Sequence, residues 1–226
     1  MSLLEVRHLA VSIQSMPALR DLTIEVDVGE KVALVGRNGA GKTSLMRAVM
    51  GHLEAVAGEV RFDGQDLGRL APHARAALGI GYMPEDRGLV PQLTVEENVR
   101  LPLWVNKALN AAQREERLAL AWRLLPEVQA MRERRALLLS GGQQKLVALA
   151  RALVAGTRLL LLDEPFEGVA PALAQRLGEV IRALQGGTLA VLISQSDAHH
   201  ASAAFARQYT IERGANSSPA AMRAVL

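Results

Sequence analysis

The stretch Gly36-Arg37-Asn38-Gly39-Ala40-Gly41-Lys42-Thr43-Ser44 carries glycines, a lysine and two hydroxyls at a spacing suited to holding phosphate. Several N–H donors must converge on a triphosphate, which requires a backbone free to curl and a face clear of side chains; Gly36, Gly39 and Gly41 supply both. A helix starting near Lys42 turns its unpaired amides into the same pocket. Lys42 then reaches the β- and γ-phosphates, and the Thr43 hydroxyl completes the shell of a Mg²⁺ ion that keeps most of its waters. Apolar Val32 to Val35 precede the loop and Leu45, Met46, Ala48 and Val49 follow it, so the segment reads as strand, loop and helix.

Two further clusters have chemical potential. Asp163-Glu164 directly follows the run Leu159 to Leu162, and the C-terminal end of a buried strand is where open α/β sheets handle ligands. Asp163 is suited to holding Mg²⁺ through a water, and Glu164 to orienting and polarising the water that attacks the γ-phosphate. Acidic pairs also merely terminate strands; the phosphate loop in the same chain favours the chemical role. Leu139-Ser140-Gly141-Gly142-Gln143 opens an apolar helix. Ser140 and Gln143 form a capping box, yet two glycines weaken a helix start by about 1 kcal/mol each relative to alanine. What they offer is bare N–H groups at a positive dipole end, a second anion site.

These clusters need elements to position them. Leu4, Val6, Leu9, Val11 and Ile13 roughly alternate with polar residues, and Leu22, Ile24, Val26 and Val28 do so strictly, which predicts half-buried antiparallel strands. Asp27 to Glu30 is the turn into the loop strand. A short strand around Val60 and Phe62, a small helix at Pro72 to Ala77 and an apolar strand at Ile80 to Met83 follow. From Thr94 to Met131 apolar residues recur at helical spacings, and Thr94 with Glu97 and Asn110 with Gln113 supply capping boxes, which predicts two to four helices. After Asp163 come a helix through Leu173, Leu177, Val180, Ile181 and Leu184, a buried strand at Leu189 to Ile193, a short segment from Asp197, and a strand at Tyr209 to Glu212. The tail from Gly214 to Pro219 reads as turn-like and mobile. The fold class is α/β: a nucleotide-binding core with an antiparallel β subdomain over 1–93 and 155–226, and an inserted helical subdomain over 94–154.

At 226 residues, half of them hydrophobic, the chain can bury a sizeable core, but no apolar run approaches the ~20 residues that span a bilayer. Met1-Ser2-Leu3-Leu4-Glu5 lacks the look of a signal peptide. The absence of cysteine excludes disulfides and thiolate metal sites. Basic and acidic residues number 26 and 23, the basic ones are dispersed, and aromatics are 3%; nucleic acid is therefore a poor candidate partner. The cluster Arg132, Arg134 and Arg135 reads as a solvated helix end.

Phosphate loop, helical insertion, Leu-Ser-Gly-Gly-Gln and Leu-Leu-Leu-Leu-Asp-Glu-Pro, in that order, resemble the ATP-binding subunit of an ABC transporter over nearly the whole chain. The resemblance implies a Mg²⁺-dependent ATPase that pairs head to tail as a homodimer or heterodimer. Each ATP would lie between one phosphate loop and the partner's Ser140, Gly141, Gly142 and Gln143. It also implies transmembrane permease subunits contacted near Glu85 to Leu93, a substrate-binding protein met indirectly, and a place on the cytoplasmic face of the membrane.

Departures from the family pattern narrow the subfamily. Glu85, in Pro84-Glu85-Asp86-Arg87, replaces a glutamine; it can only accept, or meet Mg²⁺ directly. Gln195 replaces a switch histidine and offers the γ-phosphate a hydrogen bond without switchable charge. Ala170 replaces an aspartate, and Ile13 stands where an aromatic stacks on adenine. Together with Gly168-Val169-Ala170-Pro171 these substitutions resemble importers of branched-chain amino acids and related polar amides, while Pro84 to Arg87 also resembles sugar importers. A soluble ATPase of this type acting on nucleic acid or ribosomes, and a nucleotide-gated module without turnover, are the competing classes. Because Ile13 covers the base by apolar contact alone, GTP is expected to displace ATP at comparable concentrations in a competition titration; a strong preference for ATP would count against this role.

Overall fold

The computed structural model describes residues 2–184, 186–196, 205–216 and 220–221. The alternating N-terminal residues form β1 (Ser2–Ile13) and β2 (Met16–Asp27), an antiparallel hairpin. Gln14 and Ser15 join them with φ of 48° and 66°, the positive pair that a two-residue hairpin turn requires. After Gly29 the chain enters β3 (Lys31–Val35), the phosphate loop and α1 (Lys42–Val49). β4 (Ala55–Phe62) is longer than its sequence pattern suggested, because Ala55, Val56 and Ala57 pair with β1 without burying a face. β5 (Gln65–Asp66), α2 (Pro72–Ala77) and β6 (Ile80–Met83) follow.

Two helices then occur where the capping boxes stood, α3 (Val95–Val105) and α4 (Ala111–Leu124), and a third, α5 (Pro126–Ala130), follows with Pro126 at its start and no side-chain cap. α6 (Gly141–Ala155) leads to β7 (Leu159–Asp163), α7 (Pro171–Ala183), β8 (Ala190–Gln195) and β9 (Arg207–Glu212). The segment from Asp197 lies outside the described residues up to position 204.

Strands run in the order β5-β4-β1-β2-β10-β9-β3-β8-β7-β6, where β10 is Ala215–Asn216. The tail is thus not simply turn-like. Ala215 pairs with Asp21 of β2 and with Glu212 of β9, and the Asn216 amide bonds both Thr23 N–H (2.8 Å) and Thr23 C=O (2.7 Å). Two residues carry no periodicity, so this stitch between the antiparallel and parallel parts left no sequence pattern. Ala220–Ala221 form β11 on β9; residues 217–219 lie outside the description.

The parallel strands are buried on both faces. Leu159 and Leu161 pack with α1 and the β1–β2 hairpin, while Leu160 and Leu162 pack with α3, α4, α6 and α7 in one continuous cluster. This double coverage explains the unbroken leucine run and puts the C-terminal ends of β3, β7 and β8 side by side. Arg75 of α2 donates to the carbonyls of Ala48 (2.8 Å) and Val49 (2.9 Å), closing the far end of α1.

Asn98, fully buried in α3, clamps the loop before it: its Oδ1 accepts from Val90 N–H (2.8 Å), and its Nδ2 donates to Val90 C=O (3.0 Å) and Thr94 C=O (2.9 Å). Asn98→Ala should cost about 2–3 kcal/mol by leaving these groups without partners. The expected sign is an earlier urea midpoint at unchanged slope; an unchanged midpoint would show the clamp to be idle.

Candidate functional site

β3 delivers the loop to the sheet edge, where Gly36 N–H donates to Gln195 C=O (3.1 Å). A Cβ on Gly36 would lie 2.4 Å from Ile211 C=O, and Gly41, at φ 113°, leaves no room for one beside Leu19. Both glycines are therefore set by close approach, as the phosphate-cradle reading requires. Gly41 caps α1 without a side-chain bond, so the first-turn amides stay available to an anion. The loop borders a cavity of about 510 Å³ lined by Asn38, Gly39, Gly41, Lys42, Thr43, Ser44, Glu85 and Glu164, with Pro17, Ala18, Arg20 and Arg213 on the hairpin side.

Lys42 and Glu164 meet at its floor, Nζ to Oε1 2.9 Å, with side chains 4% and 7% exposed. Lys42 also donates to the carbonyls of Gly36 and Arg37. Glu164 sits at φ 47°, a left-handed backbone that few non-glycine residues adopt; its N–H donates to Ser194 Oγ (3.0 Å). Its carboxylate accepts from Ser196 N–H (3.1 Å) and Ser196 Oγ (2.7 Å), and that hydroxyl lies 2.6 Å from the Asn38 amide oxygen.

Asp163 is fully buried and held by hydroxyls: Ser194 donates to Oδ1 at 2.6 Å, Tyr82 to Oδ2 at 3.4 Å, and Thr43 is bonded to it as well. Burial pushes its carboxyl above the usual range, against the pull of Ser194 and Thr43. Burial likewise raises Glu85, helped by Asp163, Glu167 and Glu164, and raises the Tyr82 hydroxyl, helped by Asp163, so that hydroxyl stays a donor. Thr43 beside Asp163, with Glu85 across the cavity, fits a Mg²⁺ that takes few protein ligands and keeps its waters and phosphate oxygens. No cage of three or more His, Asp or Glu exists among the described residues.

Other expected residues stand elsewhere. Gln195 ends β8 on the face of Ile193, opposite Ser194 and Asp163, where its buried amide has no hydrogen-bond partner among the described residues. Ile13, 40% exposed beside Met16 at the end of the hairpin, is not among the residues lining the cavity; nor are Arg37, Ala40 and the Ser140 to Gln143 segment. That segment makes the expected capping box, Gln143 N–H to Ser140 Oγ (3.3 Å) and Ser140 N–H to Gln143 Oε1 (3.0 Å), and Ser140 and Gly141 open onto the surface. Ala170 begins α7 with no side-chain cap bond.

Several residues with evident roles escaped sequence reasoning. Ser194 and Ser196 hold the two acids, and strand alternation put them on Asp163's face of β8. Buried Lys145 of α6 donates to Glu164 C=O and Pro165 C=O, both at 3.2 Å. Arg87 donates to Gln144 (3.0 Å), and Arg151 donates to the carbonyls of Arg87 (2.6 Å) and Gly88 (2.7 Å), stapling the Glu85 segment to α6. Generic lysines and arginines give no signal for such contacts.

A phosphate cradle and an acidic pair on one sheet edge, with a glycine-opened helix on the same chain, describe an ATP-binding cassette, and comparison with known proteins bears this out. Residues 19–167 match the ABC transporter family, to which the chain belongs. It is a Mg²⁺-dependent ATPase of that family, whose ATP-binding subunits pair with transmembrane permeases. It is 35% identical over 216 residues to the lipopolysaccharide export system ATP-binding protein LptB of Escherichia coli, covering 95% of this chain and 88% of that one. Identity is also 35%, over 198 residues, to the high-affinity branched-chain amino acid transport ATP-binding protein BraG of Pseudomonas aeruginosa, covering 87% and 83%. A solved ATP-binding subunit of an ABC transporter superposes with a TM-score of 0.86 at 27% identity, covering 98% of this chain and 90% of that one.

Asp163 carries its charge at a cost when no cation faces it. Its folded value lies above the ordinary 3.8, so above that value the fold is penalised, and the penalty fades as pH falls through the folded value. In EDTA at pH 7.5, Asp163→Asn should therefore melt a few degrees higher than wild type, with the gap closing toward pH 4; an equal or lower melting temperature would refute the burial argument.

Proposed function

We propose that this chain is the motor of an importer of branched-chain amino acids or related small polar solutes, working as a head-to-tail pair beneath transmembrane permease subunits. The substrate-binding protein is met only through the permeases, on the far side of the membrane. The observation that carries the mechanism is the Lys42–Glu164 pair at 2.9 Å. A γ-phosphate that takes the lysine leaves Glu164 free to accept a proton from water, so the base is released only when there is a phosphoryl group to attack.

Within this scheme Gly36 to Ser44 cradle the phosphates, and Thr43, Asp163 and Glu85 hold Mg²⁺, which neutralises charge on the phosphate oxygens. Ser196 orients the Glu164 carboxylate through its hydroxyl and N–H. Gln195 supplies the γ-phosphate with an uncharged hydrogen bond, for which its unpartnered amide turns away from the Ile193 face. Ile13 covers the adenine. The partner's Ser140, Gly141, Gly142 and Gln143 close the site from the other side, and the exposure of Ser140 and Gly141 supports this. The helical subdomain, 94–154, carries the segment lent to the partner, and the rest of the chain carries the phosphate site.

No helix among the described residues is long and apolar enough to cross a membrane, so transport requires other polypeptides. A groove of about 1270 Å³ beside Glu85, with Met50, Ala77, Leu101 and Val105 in its walls, is the docking place we assign to a permease's coupling helix on the cytoplasmic side. Gly168-Val169-Ala170-Pro171 and the likeness to BraG favour amino acid import; equal identity to LptB makes a lipopolysaccharide exporter the second reading. Neighbouring genes for a periplasmic binding protein and two permeases would decide between them, and salt-sensitive DNA or RNA binding would sink both.

Glu164→Gln should lower turnover by about 10²–10⁴-fold while ATP binding persists and ATP drives pairing on size exclusion. Adding Ser140→Ala with Gly141→Asp should abolish that pairing. Unchanged phosphate release in the first variant would remove Glu164 as the base.

A further inference from the structure

Tyr82 touches two things at once. Its ring stands in the wall of the large groove and meets His52 edge-on, with centroids 6.3 Å apart at 61°. Its hydroxyl lies 3.4 Å from Asp163 Oδ2. The register of β6 on β7, Tyr82 opposite Leu161, sets it two residues short of the acid on the neighbouring strand.

The length of that contact matters. An O–H···O bond is best near 2.7–2.8 Å and weakens quickly beyond, so at 3.4 Å a ring displacement of a few tenths of an ångström makes or breaks it. Asp163 Oδ1 is firmly held by Ser194 at 2.6 Å and Thr43 also bonds the carboxylate, so the 3.4 Å contact from Tyr82 adds a looser restraint at Oδ2. Thr43 and Asp163 line the inner end of the same groove, and Ala77 and Tyr82 line it too, so a body seated against Ala77 meets the ring beside the acid.

We propose that Tyr82 is a positioning residue that links the groove to the metal site: its hydroxyl sets the Asp163 carboxylate for Mg²⁺, and its ring transmits groove occupation to that carboxylate. This rests on the reading that Thr43 and Asp163 hold Mg²⁺.

The test measures Mn²⁺ affinity of the full chain loaded with a non-hydrolysable ATP analogue, by the electron paramagnetic resonance of free Mn²⁺, beside affinity for the same nucleotide in EDTA. Tyr82→Phe should weaken Mn²⁺ by about 10-fold, the low end for a residue that orients a metal-holding carboxylate, with nucleotide affinity in EDTA unchanged. Since the chain has no cysteine, Ala77→Cys in the groove wall takes a bulky maleimide at one position. That label should shift Mn²⁺ affinity at least threefold with Tyr82 present and not in Tyr82→Phe. Only two tyrosines exist, and Tyr209 is buried on β9 with its hydroxyl accepting from Glu25 N–H. With 3-fluorotyrosine, the ¹⁹F resonance that remains in Tyr209→Phe should therefore move with the label while the other stays, a readout that stands even if Tyr82→Phe folds poorly. Unchanged Mn²⁺ affinity in Tyr82→Phe, or a label effect equal in both backgrounds, would overturn the proposal. If Asp163→Asn also left Mn²⁺ affinity unchanged, the failure would lie in the metal assignment beneath it.

Discussion

Opposite charges held in a nearly waterless corner impose the main constraint on this fold. Lys42 and Glu164 are 4% and 7% exposed, and a buried ion pair is tolerable only when its remaining donors and acceptors are also satisfied. Here the satisfying groups come from two segments besides the one that carries Glu164. The loop carbonyls of Gly36 and Arg37 take the ammonium, and Ser196, just past β8, takes the carboxylate. The ends of β3, β7 and β8 must therefore be adjacent and in register, as their parallel pairing makes them. Every other part of the site, including the hydroxyl cage around Asp163, follows from that adjacency.

What could be read beforehand was whatever a single segment announces. The phosphate loop, the acidic pair after four leucines and all three capping boxes are local patterns, and each stands where its residues implied. Residues acting through tertiary position were silent. Lys145 is one lysine on a helix until the loop after Glu164 folds over it, and Tyr82 looks like ordinary strand filling until β7 brings Asp163 beside it. The serines around Gln195 are legible through strand alternation, which puts them on one face and the side chain of Gln195 on the other. Two-residue β10 had no pattern to find.

The helices that interrupt the core do not have a core of their own. Val95, Val99, Leu118 and Leu146 pack in the same cluster as Leu160, Leu162, Val191 and Ile193, so α3, α4 and α6 are held to the sheet by shared apolar burial. Polar ties are added at chosen places: Lys145 on the carbonyls after Glu164, and Arg87 and Arg151 between the Glu85 segment and α6.

Those arginine ties make α6 a strut. Gln144 is anchored one turn from the helix start and Arg151 farther along, so the backbone that carries Glu85 and the start that carries Ser140 are joined by continuous helix with no exposed hinge between them. In the head-to-tail pair proposed above, the wiring would run crosswise: the state of a subunit's own pocket would steer the serine it lends to its mate, and neither half could change its grip on a nucleotide without altering the hold it keeps on the other's.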